Sequence, residues 1–474
     1  MFRITSVLFV FVILAGLASA GWAGEVPVNM RSIVEKSQSF GLQAYPTGFW
    51  NYTNLRQHGQ HMTEATVEEW HDAGFTVPQG PNFDPAKPEE VAHMKRLLDW
   101  AHARGMKLIV CDPRCHSRLP GEGEEGVIPS DYAEGVRAAV ADFGDHPATF
   151  GFHVGDEPDA EAKLAFFECY RVQKEIAPTL HPFANLLPHF PGIEARAGTD
   201  TWPHYLDEYA TKSNADLVCY DCYTQMNPGM EGWEIYFRNL RLYREAALRN
   251  GIPFWNTVLS VGHFRYRCPS LDDIRWQFNT TVASGAHGVM WFFYYMRQPH
   301  SNYRLSPVDE FWERTQTYDD LRRVQRTFHK RYGDLFTHLV STRVTFHPAA
   351  FGEGEVFTPN GIVSRVLPDQ EDHPILLGEF ADLEGRRYVM LVNNSQTENV
   401  NVGITFPGDP ENIHLTSWNW EGEAYGGLAY CASDSTKDEH GLTVRHFLAP
   451  GQEAVYRVDS EAANAEPLPG PPGG

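Results

Sequence analysis

The sequence predicts an α/β protein of two domains, a (β/α)₈ barrel (TIM barrel) followed by an antiparallel β-sandwich. Three observations predict this fold class. Over residues 39–340, short apolar runs alternate with longer amphipathic runs, as in the strand–helix units of a parallel sheet. Eight such units fit into this length, which is the number that a TIM barrel needs. After residue 340 the helical periodicity disappears, and short β-prone runs are separated by Gly, Pro, Asn and Asp turns.

The strands of the barrel are predicted where an apolar run ends in polar, Gly or Pro residues. They cover residues 40–45, 76–79, 107–111, 149–154, 183–187, 217–220, 253–258 and 288–293. Helices between and after them are predicted over 88–104, 131–143, 161–176, 233–249, 271–284 and 318–339. A doubly wound open sheet is the alternative, but it often has a Gly-rich phosphate turn after its first strand. The segment 45–50, Tyr-Pro-Thr-Gly-Phe-Trp, is no such turn.

The remaining domain boundaries follow from composition. The barrel is predicted over 25–340 and the sandwich over 341–458, with strands at 343–346, 362–366, 375–380, 388–393, 400–406, 442–447 and 454–458. Residues 459–474 are poor in apolar side chains and end in Pro and Gly, which predicts a disordered tail.

Residues 1–20 are predicted to be a secretory signal peptide. Arg3 precedes an apolar run from Ile4 to Ala18, and Ala18-Ser19-Ala20 has the small residues of a signal peptidase site. The run is shorter than the ~20 residues of a membrane span, which disfavours an uncleaved anchor. We therefore expect a secreted or periplasmic protein with no membrane span after signal removal.

Composition and charge narrow the partners. The formal net charge of −22 would repel nucleic acid, whereas a neutral polar ligand suffers no such penalty. No cofactor is predicted. The seven cysteines leave at least one unpaired. Cys219 and Cys222 lie in a predicted strand, where residues three apart point to opposite faces, and this argues against a shared metal ion or disulfide.

The strongest functional signal follows the fourth predicted strand, where an apolar run leads directly into Asp156, Glu157 and Pro158. In a TIM barrel the active site lies at the C-terminal ends of the strands. Glycoside hydrolysis needs one carboxyl group to protonate the leaving oxygen and a second to attack the sugar or activate water. Strand alternation places His153 and Glu157 on one face and Asp156 on the other. The alternative is that the acids only cap the next helix.

The segment Gly155-Asp156-Glu157-Pro158 resembles the Asn/Asp-Glu-Pro segment after the fourth strand of retaining (β/α)₈ glycoside hydrolases, the superfamily that includes β-galactosidases and β-glucanases. The resemblance covers residues 39–340 and implies that Glu157 is the acid/base. In that superfamily the nucleophile is a Glu at the end of the seventh strand, but residues 252–263 contain no acidic side chain. Either the strand count is shifted by one, or the second carboxylate comes from elsewhere.

Asp221, after the sixth predicted strand, is the candidate for the second carboxylate, as base or nucleophile. The fourth and sixth strands are not neighbours, and a carboxylate gap of about 6.5–9.5 Å would indicate an inverting mechanism. The alternative role for Asp221 is to bind substrate hydroxyls or to support another residue.

Other strand ends carry side chains that stack on sugar rings or hydrogen-bond their hydroxyl groups. The predicted substrate-binding residues are Tyr45, Asn82, Arg114, His153, Asp156, Asn185, Tyr223, Trp255, Trp291 and Tyr294. For each aromatic residue taken alone, packing in the core is the alternative.

The sequence thus predicts a secreted glycoside hydrolase that acts on a polysaccharide or oligosaccharide. Two other classes stay open. The absence of an acid on the seventh strand favours an inactive barrel that binds carbohydrate or serves as a scaffold. A polysaccharide lyase or other sugar-modifying enzyme would use Arg114 and His116 to face a uronate.

Overall fold

The computed structural model describes residues 27–122, 124–297, 302–468 and 470. The predicted signal peptide, residues 1–20, lies outside them. Within the described ranges, no helix is both long enough and apolar enough to cross a lipid bilayer.

The first part of the chain forms a closed parallel barrel. Seven strands pair in the order β1-β7-β6-β5-β4-β3-β2. The segment 76–80 closes the ring between β1 and β2, since Gln79 N donates to Phe49 O (3.1 Å) and Ile109 N donates to Pro78 O (3.0 Å). The barrel therefore has eight positions, as predicted. The strands are β1 Thr47–Phe49, β2 Leu108–Val110, β3 Thr149–Asp156, β4 Phe183–Leu186, β5 Val218–Asp221, β6 Phe254–Leu259 and β7 Val289–Phe292.

The predicted first strand, 40–45, is wrong, and the strand starts at Thr47 instead. Gly41 has φ +63°, a left-handed conformation that interrupts an extended run. The Phe40 ring packs against Phe150 and Trp255, with centroids 5.4 and 5.6 Å away, and so fills the end of the barrel where the strands begin.

Helices surround the barrel and cover its outer face. The six predicted helices correspond to α4, α5, α6, α9, α10 and α11. The observed bounds are α1 Val28–Ser39, α2 Leu55–His58, α3 Glu64–Asp72, α4 Pro88–His102, α5 Tyr132–Phe143, α6 Lys163–Ile176, α7 Glu194–Ala197, α8 Trp202–Ser213, α9 Glu231–Asn250, α10 Leu271–Ala283 and α11 Gln316–Tyr332.

Two sheets form the C-terminal part, and all of their strand pairs are antiparallel except β8 with β9. One has the strand order β10-β13-β17-β16 and the other β15-β14-β18-β12-β11-β8-β9, and a buried apolar layer that includes Leu391, Ile404, Val444 and Tyr456 lies between them. The strands are β8 Val340–His347, β9 Glu355–Val356, β10 Arg365–Pro368, β11 Ile375–Ala381, β12 Arg387–Asn393, β13 Val400–Phe406, β14 His414–Trp418, β15 Ala424–Gly426, β16 Ala432–Asp438, β17 Gly441–Leu448 and β18 Glu453–Asp459.

The predicted disordered tail is wrong in its first part. Residues Glu461–Ala465 form the short helix α12, and the Ser460 side chain caps it by accepting from Ala463 N. Ala463 is fully buried, and the Glu466 carboxylate accepts a hydrogen bond from Gly361 N (2.8 Å). The Ser460 cap, the buried Ala463 side chain and the Glu466 hydrogen bond thus hold this segment against the C-terminal sheets.

Candidate active site

The C-terminal end of β3 is irregular, and this irregularity aims its acids. The pairing register with β4 shifts between His153 and Gly155, and Gly155 and Glu157 have φ of +156° and +43°. As a result the Asp156 carboxylate reaches Asn185 Nδ2 of β4 (3.0 Å), while the His153 ring meets that of Trp50 inside the barrel (5.3 Å). Glu157 N still donates to Asn185 O of β4 (2.9 Å), which fixes the turn to the sheet.

Asn185 on β4 joins the acids of the two strands beside it. Its amide Nδ2 donates to Asp156 Oδ1 (3.0 Å) and to Asp221 Oδ1 (2.7 Å), while its Oδ1 accepts from Thr257 Oγ1 (3.4 Å). The side chain thus bridges β3, β5 and β6 across the mouth of the barrel. The predicted residues Asp156, Asn185 and Asp221 therefore lie together.

Glu157 and Asp221 act on each other, since the charge of Glu157 raises the pKa of Asp221. Asn185 links the two strand ends, because its Nδ2 donates to Asp221 Oδ1 (2.7 Å) and its backbone oxygen accepts from Glu157 N (2.9 Å). The carboxylate gap considered from the sequence stays a prediction. On the outer side, Arg196 Nη2 lies 3.6 Å from Glu157 Oε2.

Burial raises the pKa of Asp156, Glu157 and Asp221, most strongly that of Asp221. Repulsion from Asp156 adds to the raised pKa of Glu157, and repulsion from Glu157 and then Asp156 adds to that of Asp221. Hydrogen bonds from Asn185 and Tyr223 oppose the rise at Asp221. Acids this close do not all ionise together, so the cluster keeps a proton in a pH range where a free carboxyl group has lost it.

Tyr52, Arg297 and Tyr303 lie near these acids and were not predicted from the sequence. The Arg297 guanidinium lies 3.9 Å from the centroid of Tyr52 and donates to the Tyr303 hydroxyl (3.1 Å), and its charge favours ionised Asp156. The predicted residue Tyr223 hydrogen-bonds Asp221 and stacks on Phe292 with centroids 5.1 Å apart. Arg297 follows β7 by five residues in a loop, where no periodic pattern marks it.

The end of β6 supplies no carboxyl group, in agreement with its sequence. The strand ends at Leu259, and the residues that follow it are Ser, Val, Gly and His. His263 lies among the rings of Phe264, Phe292 and Tyr303. The residues that directly follow β6 are therefore uncharged or aromatic, and Ser260 and His263 are the polar side chains among them.

Five predicted substrate-binding residues are corrected because the structure directs their side chains elsewhere. Tyr45 is fully buried and donates to Ala286 O (2.8 Å). The Arg114 guanidinium binds Asp112 and Asp142. Arg114 is therefore not directed at a uronate, as the polysaccharide lyase alternative required.

The other three corrected residues are aromatic side chains of the core. Trp255 packs on Phe150 in the barrel interior. Trp291 points outward and donates to Gln325 Oε1 (3.1 Å), and Tyr294 stacks on Phe49 with a centroid distance of 4.4 Å. Their residue types are those of a sugar cleft, but each of them is at most 1% exposed.

Two further predicted residues lie at the edge of the site. Asn82 Nδ2 donates to Thr53 O (3.1 Å) beside β1. His153 lies inside the barrel, with its ring 5.3 Å from that of Trp50 and 5.4 Å from that of His116. Both remain predictions as ligand-binding residues.

The described part of the chain contains no group of three or more His, Cys, Asp or Glu side chains that could hold a metal ion. Cys219 Sγ lies 3.5 Å from Thr257 Oγ1 in the barrel interior, whereas Cys222 Sγ lies 3.4 Å from Thr224 Oγ1. All seven cysteines are free thiols. The two thiols of the Cys219–Cys222 spacing thus face different neighbours.

A scan against protein-family models and a search of curated proteins gave no match. Similar solved structures include a β-galactosidase from Rahnella sp. R3, with 13% identity, a TM-score of 0.49, and 64% of this chain and 58% of that chain covered. A family 39 glycoside hydrolase from Bacteroides cellulosilyticus WH2 is 12% identical, with a TM-score of 0.48 and 90% and 82% covered. A β-galactosidase from Marinomonas ef1 is 14% identical, with a TM-score of 0.43 and 60% and 59% covered.

The chain spans less than two thirds of the two β-galactosidases that it matches. These solved structures are glycoside hydrolases with a barrel-like parallel sheet, and the similarity concerns the fold alone.

Proposed function

We propose that the protein is a secreted glycoside hydrolase that cleaves O-glycosidic bonds of a polysaccharide or oligosaccharide. Glu157 is the acid, and Asp221 is the nucleophile or base. The observation that carries this proposal is the cluster of acids around Asn185 at the mouth of the barrel. Asn185 Nδ2 donates to Asp156 (3.0 Å) and to Asp221 (2.7 Å), and its backbone oxygen accepts from Glu157 N (2.9 Å). Export is supported by the apolar run and small residues at the N-terminus.

The chemistry follows from one proton that Glu157 and Asp221 share. Asp221 holds it in the free protein, because its pKa is raised more strongly, and the mechanism requires that the proton move to Glu157 when substrate binds. Protonated Glu157 donates its proton to the glycosidic oxygen as the bond from that oxygen to the anomeric carbon breaks. The Asp221 carboxylate, which accepts hydrogen bonds from Asn185 and Tyr223, attacks that carbon and forms a glycosyl ester. Glu157, now ionised, takes a proton from water, which attacks the ester and releases the sugar.

The closeness of the pair supports retention over inversion. Retaining enzymes hold their carboxyl groups about 5–5.5 Å apart, and inverting enzymes need about 6.5–9.5 Å to admit a water molecule. Glu157 and Asp221 flank Asn185 at the barrel mouth and repel each other strongly enough to raise the pKa of Asp221, which favours the shorter spacing.

The experiment distinguishes the acid from the nucleophile by using two substrates, of which only one has a leaving group that needs a proton. In Glu157→Gln we expect kcat for natural glycosides to fall by about 10²- to 10⁴-fold. Activity on a dinitrophenyl glycoside, whose leaving group needs no proton, should largely persist. Asp221→Asn should lose activity on both substrates.

Asp320→Asn is the matched control. Burial also raises the pKa of Asp320, but this residue lies on α11 and bonds Gln316 rather than a cleft residue. Its activity should equal that of the wild type. Full activity of Asp221→Asn would refute its assignment, and glycan binding without turnover in the wild type would indicate a binding protein.

A further inference from the structure

Below the carboxyl groups, one side of the barrel interior carries four polar side chains that each have an unpartnered, buried nitrogen atom. These are Trp50 Nε1, Gln79 Nε2, His116 Nε2 and His153 Nε2. They lie at four successive positions of the barrel, after β1, in the segment 76–80, after β2 and within β3. We call these four residues the polar wall.

The polar wall is built on the barrel and is not a surface feature. Trp50 is 4% exposed and Gln79 is 1% exposed. The His153 ring meets Trp50 edge-on at 5.3 Å and His116 at 5.4 Å. Gln79 Oε1 accepts from Asn51 N (3.2 Å), so its amide nitrogen is the group left over. The Trp50 and Gln79 nitrogens are donors, and each neutral imidazole nitrogen donates or accepts according to its tautomer. A buried polar group without a partner costs about 1–3 kcal/mol, and four such groups side by side indicate a site for a polar ligand.

The wall adjoins the reacting carboxyl groups. His153 precedes Asp156 by three residues on β3, and the Asp156 carboxylate accepts a hydrogen bond from Asn185 Nδ2 (3.0 Å) at the end of that strand. Trp50 stacks beside Tyr52 with ring centroids 6.2 Å apart. Burial raises the pKa of the Tyr52 hydroxyl, and the negative charges of Asp156 and Asp221 raise it further. A ligand that contacts Trp50 and His153 would therefore lie close to the strand end that carries Asp156 and Glu157.

The wall offers neutral hydrogen-bonding groups and no positive charge. Burial lowers the pKa of His153 to about 3, with His116 adding to the effect, and burial also lowers the pKa of His116. Both imidazoles are thus uncharged at neutral pH. Arg196 and Arg297, the cations described at the mouth, already face Glu157 and Asp156. Sugar hydroxyl groups can hydrogen-bond these neutral groups. A carboxylate or sulfate would instead be repelled by Asp156, Glu157 and Asp221.

We propose that the polar wall binds hydroxyl groups of the sugar ring whose glycosidic bond is cleaved, and that this sugar is neutral rather than a uronate or a sulfated sugar. This inference rests on the proposed function and names its substrate class.

The test is calorimetric titration of Glu157→Gln, which keeps the fold but not the acid. The probes are D-glucose, D-galactose, D-mannose and D-xylose, against D-glucuronate and D-galacturonate. We expect at least one neutral sugar to bind and its uronate to bind at least tenfold more weakly. Adding Trp50→Phe, which removes only the indole N–H and some ring area, should weaken the neutral sugar by roughly tenfold, the value of one buried hydrogen bond.

Trp255→Phe is the matched control, because Trp255 Nε1 is also buried and unpartnered inside the barrel, yet its ring packs on Phe40 at the opposite end. Sugar affinity should not change in it. Gln79→Glu is the second variant, since it keeps the oxygen that Asn51 N needs and replaces only the unpartnered nitrogen. Melting curves establish that each variant folds.

Three results would overturn the inference: no binding of any neutral sugar, tighter binding of a uronate, or equal effects of Trp50→Phe and Trp255→Phe. Failure of the proposed function looks different. In that case the wild type hydrolyses no glycoside, whatever the sugar affinities of the variants.

Discussion

Asp221 is a costly residue for the folded protein because its carboxylate is buried beside two other acids. Burial first, and then repulsion from Glu157 and Asp156, raise its pKa well above 3.8. Below that value the carboxyl group is protonated in both the folded and the unfolded chain, and no penalty exists. As pH rises, the unfolded chain ionises first, so stability falls until the folded pKa is passed. The proposed catalytic role would account for an acid that stability disfavours.

We therefore predict that Asp221→Asn melts at a higher temperature than the wild type at pH 7–8. The gain should shrink as pH is lowered and vanish near pH 4, since each unit of pKa difference is worth about 1.4 kcal/mol. Calorimetric scans from pH 3.5 to 8 measure it. A variant that melts below the wild type at pH 8 would contradict the buried-charge interpretation.

Asp216→Asn is the control, and its effect on stability at neutral pH should be opposite to that of Asp221→Asn. The side chain of Asp216 binds His181 Nδ1 (2.8 Å) and Lys174 Nζ (2.6 Å), and these partners hold the pKa of its carboxyl group below the usual value despite burial. Its contribution is present above the unfolded pKa and is lost as pH falls. Asp216→Asn should therefore destabilise at neutral pH and approach the wild type in acid.

Residue type and strand position together predicted that these residues lie near one another at the barrel mouth. Asp156, Glu157 and Asp221 follow predicted strands and Asn185 lies within one, and hydrogen bonds to Asn185 join all four. The aromatic residues were harder, because successive side chains of a strand face the interior and the helices in turn. Tyr52 was missed because the first strand was placed too early, and Trp291 was assigned to the cleft although it faces α11.

At the scale of the element, the end of β3 is the part of the barrel that departs most from a regular strand. Gly155 makes the departure possible, because a Cβ atom there would lie 2.9 Å from Ser117 Oγ and 3.0 Å from Phe166 Cε2. The absent side chain lets the strand pass close to α6 and turn Asp156 and Glu157 toward the barrel axis. Regular strand alternation does not predict this turn, because alternation takes no account of how the strand packs against α6.

Gly155→Ala should therefore push β3 away from α6 and displace both acids. We expect a loss of about 1–3 kcal/mol in stability, as for other overpacked sites, together with a lower kcat. Gly192→Ala is the control, because Gly192 also has a positive φ (+85°) but no atom near its Cβ position. The control should lose only the backbone term, about 1–2 kcal/mol, and keep its activity. Unchanged kcat in Gly155→Ala would show that β3 does not aim the acids.

Elements with strong periodicity were predicted well, and polar edge elements were not. The bounds of α4, α5 and α10 agree with the sequence pattern to within about two residues, because an apolar stripe at helical spacing marks them. β16 was missed because six of its seven residues are exposed, so no buried face leaves a pattern. The segment 76–80 joins the barrel through only a few backbone bonds, yet its apolar run sufficed to predict it.

At the scale of the whole molecule, buried polar contacts fasten the barrel to the β-sheets. The Glu453 carboxylate on β18 accepts from Arg331 Nη1 (2.5 Å), from the Tyr332 hydroxyl (3.2 Å) and from Asn279 Nδ2 (2.9 Å). Arg331 is 1% exposed. Because α10, α11 and β18 all supply partners, the C-terminal sheets support the outer helices of the barrel.

Removing Glu453 should weaken both parts of the molecule together, because Arg331 would keep its charge in a buried site without its carboxylate partner. Breaking such a pair costs about 3–5 kcal/mol, so Glu453→Ala should lower the melting temperature by several degrees while the kcat of the folded fraction stays near that of the wild type. Glu411→Ala is the control, since Glu411 binds Lys437 (2.9 Å) with both side chains exposed, and such pairs are worth about 0–1 kcal/mol. If Glu453→Ala melts like Glu411→Ala, the two domains hold together through apolar packing instead.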